Sequence, residues 1–114
     1  MMATVSSHTL NGLDGTHAGG IGVTLVNLTS GTTLFATETD SGGRLSEKID
    51  LTDAGPTDRY QLTFATGPFW HSSGHAQAID EIVLRFTMPD PSARYHMPVI
   101  LSPHSYSTWY SYPE

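Results

Sequence analysis

The sequence predicts an all-β fold, a single antiparallel β-sandwich of about seven or eight strands with one short helix. Three observations carry this. Apolar residues alternate with polar ones at period two in several separate runs. Gly, Asp and Pro punctuate the gaps between those runs. Only one stretch lacks the alternation and is long enough for a helix.

In order along the chain, Ile21, Val23 and Leu25 alternate with Gly22 and Thr24, and Gly31 turns the chain into a second strand over 32–38. Asp40-Ser41-Gly42-Gly43 is a strong turn. Tyr60, Leu62 and Phe64 alternate with Gln61 and Thr63, and Ile82, Leu84 and Phe86 with Val83, Arg85 and Thr87. Between them, residues 68–78 read as one short helix that Gly74 weakens. Pro89-Asp90-Pro91 is a rigid turn into the strand at 94–101. There, parity puts Tyr95, Met97, Val99 and Leu101 on one face, and His96, Pro98 and Ile100 on the other. If the first set fills the core, His96 lies on an outer face that is otherwise apolar, which suggests a subunit interface or a pocket. In the last strand Ser105, Ser107, Trp109 and Ser111 share one side, and Tyr106, Thr108 and Tyr110 the other.

With 114 residues the chain is expected to be a single domain, residues 1–114, with no linker or internal repeat. The formal charge is −6, with five Lys and Arg scattered along the chain, so nucleic acid and anionic membranes are poor partners. The absence of cysteine excludes disulfides, thiolate catalysis and zinc–thiolate sites. No apolar run approaches membrane-spanning length. Met1 to Gly12 lacks the basic and apolar regions of a secretory signal, and Tyr112-Pro113-Glu114 is not a peroxisomal tripeptide. The expectation is a soluble cytoplasmic protein. His71 and His75 have the spacing of metal ligands on a helix, but no third ligand is evident, and no metal site is expected. Asp80 and Glu81 are strand neighbours that face opposite ways. No Gly-x-Ser-x-Gly elbow supports a nucleophilic serine.

Four stretches together resemble the transthyretin-like family, whose enzymatic members are 5-hydroxyisourate hydrolases. Ser6-Ser7-His8-Thr9-Leu10 is similar to the family's N-terminal Ser-Thr-His-Val-Leu element, and Gly20-Ile21-Gly22-Val23-Thr24-Leu25 to its next strand. Thr39-Asp40-Ser41-Gly42-Gly43-Arg44 is similar to its Thr-x-x-x-Gly-Arg turn. The most specific stretch runs from Tyr95-His96-Met97-Pro98 through Leu101-Ser102-Pro103 to Tyr106-Ser107-Thr108. The resemblance implies two four-stranded sheets, a homotetramer, and ligand clefts where dimers meet. It also implies a cofactor-free hydrolysis of a small cyclic amide or ureide.

Carried over residue by residue, the resemblance implies His8 and His96 as an acid/base pair and Arg44 as an electrostatic clamp. Imidazole exchanges protons near neutral pH, and guanidinium keeps its charge. Without it, His8 and Arg44 read as solvated surface residues and His96 as a structural interface histidine. The family's final Tyr-Arg-Gly-Ser is replaced here by Trp109-Tyr110-Ser111-Tyr112, and His104 stands where an aromatic usually follows Ser-Pro. Ser107, Trp109, Tyr110, Ser111 and His104 are the candidate substrate-binding residues. The altered tail leaves open two alternatives: a repurposed family enzyme that acts on another cyclic substrate in a biosynthetic pathway, and a non-catalytic carrier of a small ligand.

Overall fold

The computed structural model describes residues 1–113. One sheet holds β1 (Met2–Asn11), β4 (Arg44–Asp50), β7 (Arg94–His96), β8 (Val99–Leu101) and β9 (Tyr106–Thr108). The other holds β3 (Thr32–Glu38), β2 (Gly22–Asn27), β5 (Arg59–Ala65) and β6 (Ile82–Thr87), in that spatial order. A six-residue helix, α1 (Gly67–Ser72), joins β5 to β6. The expected β-sandwich with one short helix is therefore what the chain forms.

β7 and β8 occupy one strand position. β7 runs parallel to Thr4–Ser6 of β1, and β8 parallel to Thr9–Asn11 of the same strand. Met97 and Pro98 separate them, and Pro98 has no N–H to give to a ladder. Counted by position the sandwich thus has eight strands. The β1–β7/β8 pairing is its parallel element, which period-two alternation alone does not reveal.

The core forms because each strand buries alternate residues. Val23 and Leu25 of β2, and Tyr60, Leu62 and Phe64 of β5, point inward from one sheet. Tyr95, Met97, Val99 and Leu101 meet them from the other, following the parity read from the sequence. His96 is half-buried and Ile100 exposed on the opposite face, whereas Pro98 is buried. Trp70 of α1 is 1% exposed and is flanked edge-on by Phe69 and His75. α1 starts with Pro at its first turn and stops short of Gly74, which takes φ +85°. His75 lies beyond this stop, so His71 and His75 do not share a helix face.

β1 is the least obvious strand in the sequence, because three of its inward residues are polar. The Ser7 hydroxyl donates to Met97 O at 2.7 Å, and Thr9 Oγ1 reaches both Ala18 O and Gly43 O. Asn11 Oδ1 accepts from the Leu13 and Asp14 N–H groups. Each buried polar group is thus satisfied by backbone rather than left as a desolvation penalty.

Gly43 sits at the end of the Asp40–Gly43 turn with φ +76°, and a Cβ there would run into the backbone oxygen of Thr9. Gly31 has nearly the same φ, +77°, with open space around it. Left-handed backbone costs an ordinary residue about 1–2 kcal/mol. Gly31→Ala should lose about that much in urea unfolding. Gly43→Ala should lose clearly more, because the backbone it meets cannot swing aside. Equal losses would mean that Thr9 and Gly43 are not held as described.

Candidate functional site

The outer face of the five-stranded sheet carries an unusual concentration of positive charge. Strand register places His8 of β1 opposite Arg44 of β4, Ser6 opposite Ser46, and Thr4 opposite Lys48. On the other flank of β1, Thr4 lies beside Arg94 and Ser6 beside His96. Arg44, Lys48 and Arg94 are three of the chain's five Lys and Arg residues. An acidic protein thus collects most of its fixed cations on the one face that also holds His8 and His96. Among the described residues, neither Arg44 nor Arg94 is ion-paired.

A cavity of about 600 Å³ opens on this face, with Ser6, Arg44, Arg94, His96, Ser111 and Tyr112 in its walls and Asp40 at the β4 end. His8 is not part of the wall but flanks it, near enough that the charges of Arg44 and His96 both act on its ring. The two histidines are held differently. His96 Nδ1 lies 2.8 Å from Ser6 Oγ. A hydroxyl can donate or accept, so this contact survives whether Nδ1 carries a proton or not. His8 Nε2 lies 3.0 Å from Gly42 O and 3.0 Å from His17 Nδ1. A carbonyl oxygen can only accept, so Nε2 must carry a hydrogen, and the free lone pair of neutral His8 is on Nδ1. The rings of His8 and His17 lie edge to edge and nearly coplanar, with centroids 5.1 Å apart and an interplanar angle of 27°.

Burial lowers the pKa of His8 below its ordinary value of 6.5. The Arg44 guanidinium pushes the same way, as do His17 and His96, against the opposing pull of the Gly42 carbonyl. His8 therefore holds its proton less firmly in the folded protein than in the unfolded chain. Above about pH 6.5 the ring is neutral in both states and has no effect. As pH falls through that value toward the lower folded pKa, the unfolded chain is protonated first and stability declines.

The structure brings three of the sequence candidates, His8, Arg44 and His96, to one face, and of the tail candidates it brings Ser111 to the cavity. The Ser111 N–H donates to His96 O at 2.9 Å, which lays the tail across β7. Trp109 and Tyr110 instead line a separate groove of about 460 Å³ against β6, with Val83 and Phe86. Tyr110 packs on Phe86 and Tyr95 and donates its hydroxyl to Thr87 O. Ser107 and His104 are exposed and belong to neither cavity.

Sequence reasoning missed Ser6, Arg94, Tyr112 and His17. Ser6 shares parity with His8, and Arg94 with His96, so the period-two signal that exposed one member of each pair also contained the other. His17 had no such signal. It depends on a loop that folds back on β1.

The chain is thus a small two-sheet β-sandwich protein with two imidazoles and, among the described residues, an unpaired guanidinium gathered beside a cavity on one sheet face. The chain belongs to the HIUase/Transthyretin family, whose family model matches residues 5–110. A relative named 5-hydroxyisourate hydrolase, from Deinococcus radiodurans, is 31% identical over 110 residues, covering 92% of each chain. The solved structure of Klebsiella pneumoniae 5-hydroxyisourate hydrolase is 28% identical with a TM-score of 0.78, covering 96% of this chain and 99% of that one. Transthyretin from Sparus aurata superposes with a TM-score of 0.77 over 94% and 95% of the two chains, at 23% identity, a likeness of fold alone.

In an NMR titration the His8 ring should give a midpoint below 6.5, and Arg44→Gln should move it upward by removing the nearest fixed cation. An Arg44→Gln midpoint at or below the wild-type value would mean that the guanidinium does not act on His8.

Proposed function

We propose that this protein opens the ring of 5-hydroxyisourate by hydrolysis, with His8, Arg44 and His96 performing the chemistry. The observation that carries the reading is the register itself: β1 sets an imidazole opposite a guanidinium on one flank and, two residues away, holds a second imidazole on the other. Family membership and the named relatives support the choice of substrate.

His8 is the general base. Its lowered proton affinity keeps Nδ1 free near neutral pH, and Nδ1 takes a proton from the attacking water. The resulting hydroxide adds to the cyclic amide carbonyl. Arg44, opposite His8, stabilises the oxyanion of the tetrahedral intermediate. His96 is the general acid: as imidazolium its Nδ1–H donates to Ser6 Oγ, its Nε2 carries the proton that goes to the departing ring nitrogen, and the C–N bond breaks. The new carboxylic acid ionises, returning a proton to His96, and His8 releases its proton to solvent. When Nε2 gives up its proton, Nδ1–H keeps its bond to the Ser6 hydroxyl, so His96 stays anchored in both protonation states. Arg94, at the other end of the cavity, is placed to attract the carboxylate that ring opening creates.

Ser111 and Tyr112 form the tail's share of the binding site, and Tyr112, 91% exposed in the single chain, offers a face for a planar ring. The working form in this reading is a cytoplasmic homotetramer, with the cavity completed at a subunit interface. Exposed Val83, Ile100, Tyr106, Trp109 and Tyr110 supply apolar area for such contacts.

The decisive experiment follows the ultraviolet decay of freshly generated 5-hydroxyisourate. Wild type should accelerate it well beyond buffer. His8→Ala and His96→Ala should each cost about 10²–10⁴-fold in kcat, and Arg44→Ala about 10²–10³-fold. Tyr112→Ala should raise KM with little change in kcat, as loss of a uniform binding contact does. Decay no faster than buffer, from folded protein that runs as a tetramer in analytical ultracentrifugation, would overturn the reading.

A further inference from the structure

The loop between β1 and β2 is built to hold one side chain against His8. Its backbone is tied to β1 at three points: Asn11 N–H donates to Thr16 O (2.8 Å), Ala18 N–H donates to Thr9 O (3.0 Å), and Leu10 faces His17 as an isolated antiparallel bridge. Gly15 turns the tip with φ +79° and donates to Asn11 O, and the Asn11 side chain caps the Leu13 and Asp14 N–H groups. Ala18 is fully buried and its carbonyl accepts from the Thr9 hydroxyl. His17 is itself exposed, so it is not there to fill a core. What the loop does with it is set its ring edge to edge with His8, with Nδ1 3.0 Å from His8 Nε2.

We infer that His17 is a positioning residue for His8. By accepting from Nε2–H alongside Gly42 O, it fixes the tautomer that leaves the lone pair on Nδ1. The inference rests on the reading of His8 as general base. Gly42 O alone would allow the ring to swing away and rehydrate, since a single bond at the rim of an open face is easily exchanged for water. Two acceptors on the same hydrogen restrict both the tilt and the rotation of the imidazole. For His17 to accept, its own Nδ1 must be bare and its hydrogen on Nε2. A proton on His8 is opposed by the charges of Arg44 of β4, of His96 of β7 and of His17 when that ring is itself protonated; Asp40 of the preceding turn lies in the cavity wall.

The test uses the full chain and three variants: His17→Phe keeps a planar ring but no acceptor, His17→Ala removes both, and His17→Asn returns an acceptor. Long-range proton–nitrogen correlation spectra, which need no turnover, should show neutral wild-type His8 with its hydrogen on Nε2. In His17→Phe and His17→Ala, the Nδ1–H form should appear and the His8 midpoint should rise. On 5-hydroxyisourate, the acid limb of kcat/KM should move to higher pH in step, and kcat should fall about threefold to tenfold, the worth of one hydrogen bond, with KM nearly unchanged. His17→Asn should restore most of the tautomer preference. A wild-type His8 with its hydrogen on Nδ1, or a His17→Phe variant with unchanged tautomer and midpoint, would overturn the inference. The two readings fail separately: a protein without hydrolase activity but with the expected spectra loses only the proposed reaction. An active enzyme whose His8 ignores the loss of His17 loses only this inference.

Discussion

The register of β1 against its two neighbours is the constraint on which the rest of the molecule depends. β4 meets it antiparallel on one side, and β7 and β8 meet it in parallel on the other. Because successive side chains alternate faces, a slip of one residue would turn His8 and Ser6 into the core and expose Ser7 and Thr9. Apolar packing alone would resist such a slip only weakly here, since Ser7, Thr9 and Asn11 contribute little hydrophobic preference. Specific hydrogen bonds hold the register instead. Ser7 is tied to the backbone of Met97, next to His96, and Thr9 to the backbone of Ala18, next to His17, and of Gly43, next to Arg44. Ser7 and Thr9, inside the sandwich, therefore each fix the backbone beside a residue outside it.

The electrostatics follow from the same arrangement. A net charge of −6 is spread over loops and edges, while one sheet face gathers Arg44, Lys48 and Arg94. Arg44 has two effects that reinforce each other. It disfavours the proton on His8, and in the proposed reaction the same charge would meet the oxyanion. Without the fixed cation, the imidazole would be protonated over more of the pH range and, in that proposed role, would serve less well as a base.

Much of the fold was legible in the sequence, and the reasons are physical. β2, β5 and β6 show clean alternation because their inward residues are apolar, and the 94–101 parity correctly separated Tyr95, Met97, Val99 and Leu101 from His96 and Ile100. β1 and β4 were not singled out, because polar residues such as Ser7 and Thr9 face inward and hide the period. The parallel pairing was illegible, since it joins segments about ninety residues apart and no local pattern encodes it. Of the candidate site, the grouping of His8, Arg44 and His96 on one face was expected only through resemblance to a family. Parity put Trp109 with Ser111 and Tyr110 on the opposite side, but β9 ends at Thr108 and the alternation stops there: Ser111 and Tyr112 reach the cavity, while Tyr110, anchored on Phe86, Tyr95 and Thr87, turns with Trp109 to the other sheet's edge. The division depends on which side the Tyr110 ring finds a buried surface, and strand parity carries no information about that.

The pairing of β1 with β7 and β8 also bears on how the molecule comes into being. The two sides of the cationic face lie at opposite ends of the chain, and the Ser6–His96 contact spans ninety residues. Local hairpins such as β2–β3 can close early and cheaply, whereas this contact requires the largest loop in the molecule to close. Partly folded chains will already hold the β2–β3–β5–β6 sheet while their histidines are still far apart. Recovery of a native cationic face should therefore mark the slow, final stage of refolding. Until that stage, the edge of the incomplete sheet on which β1 must dock stays open to pairing with other chains.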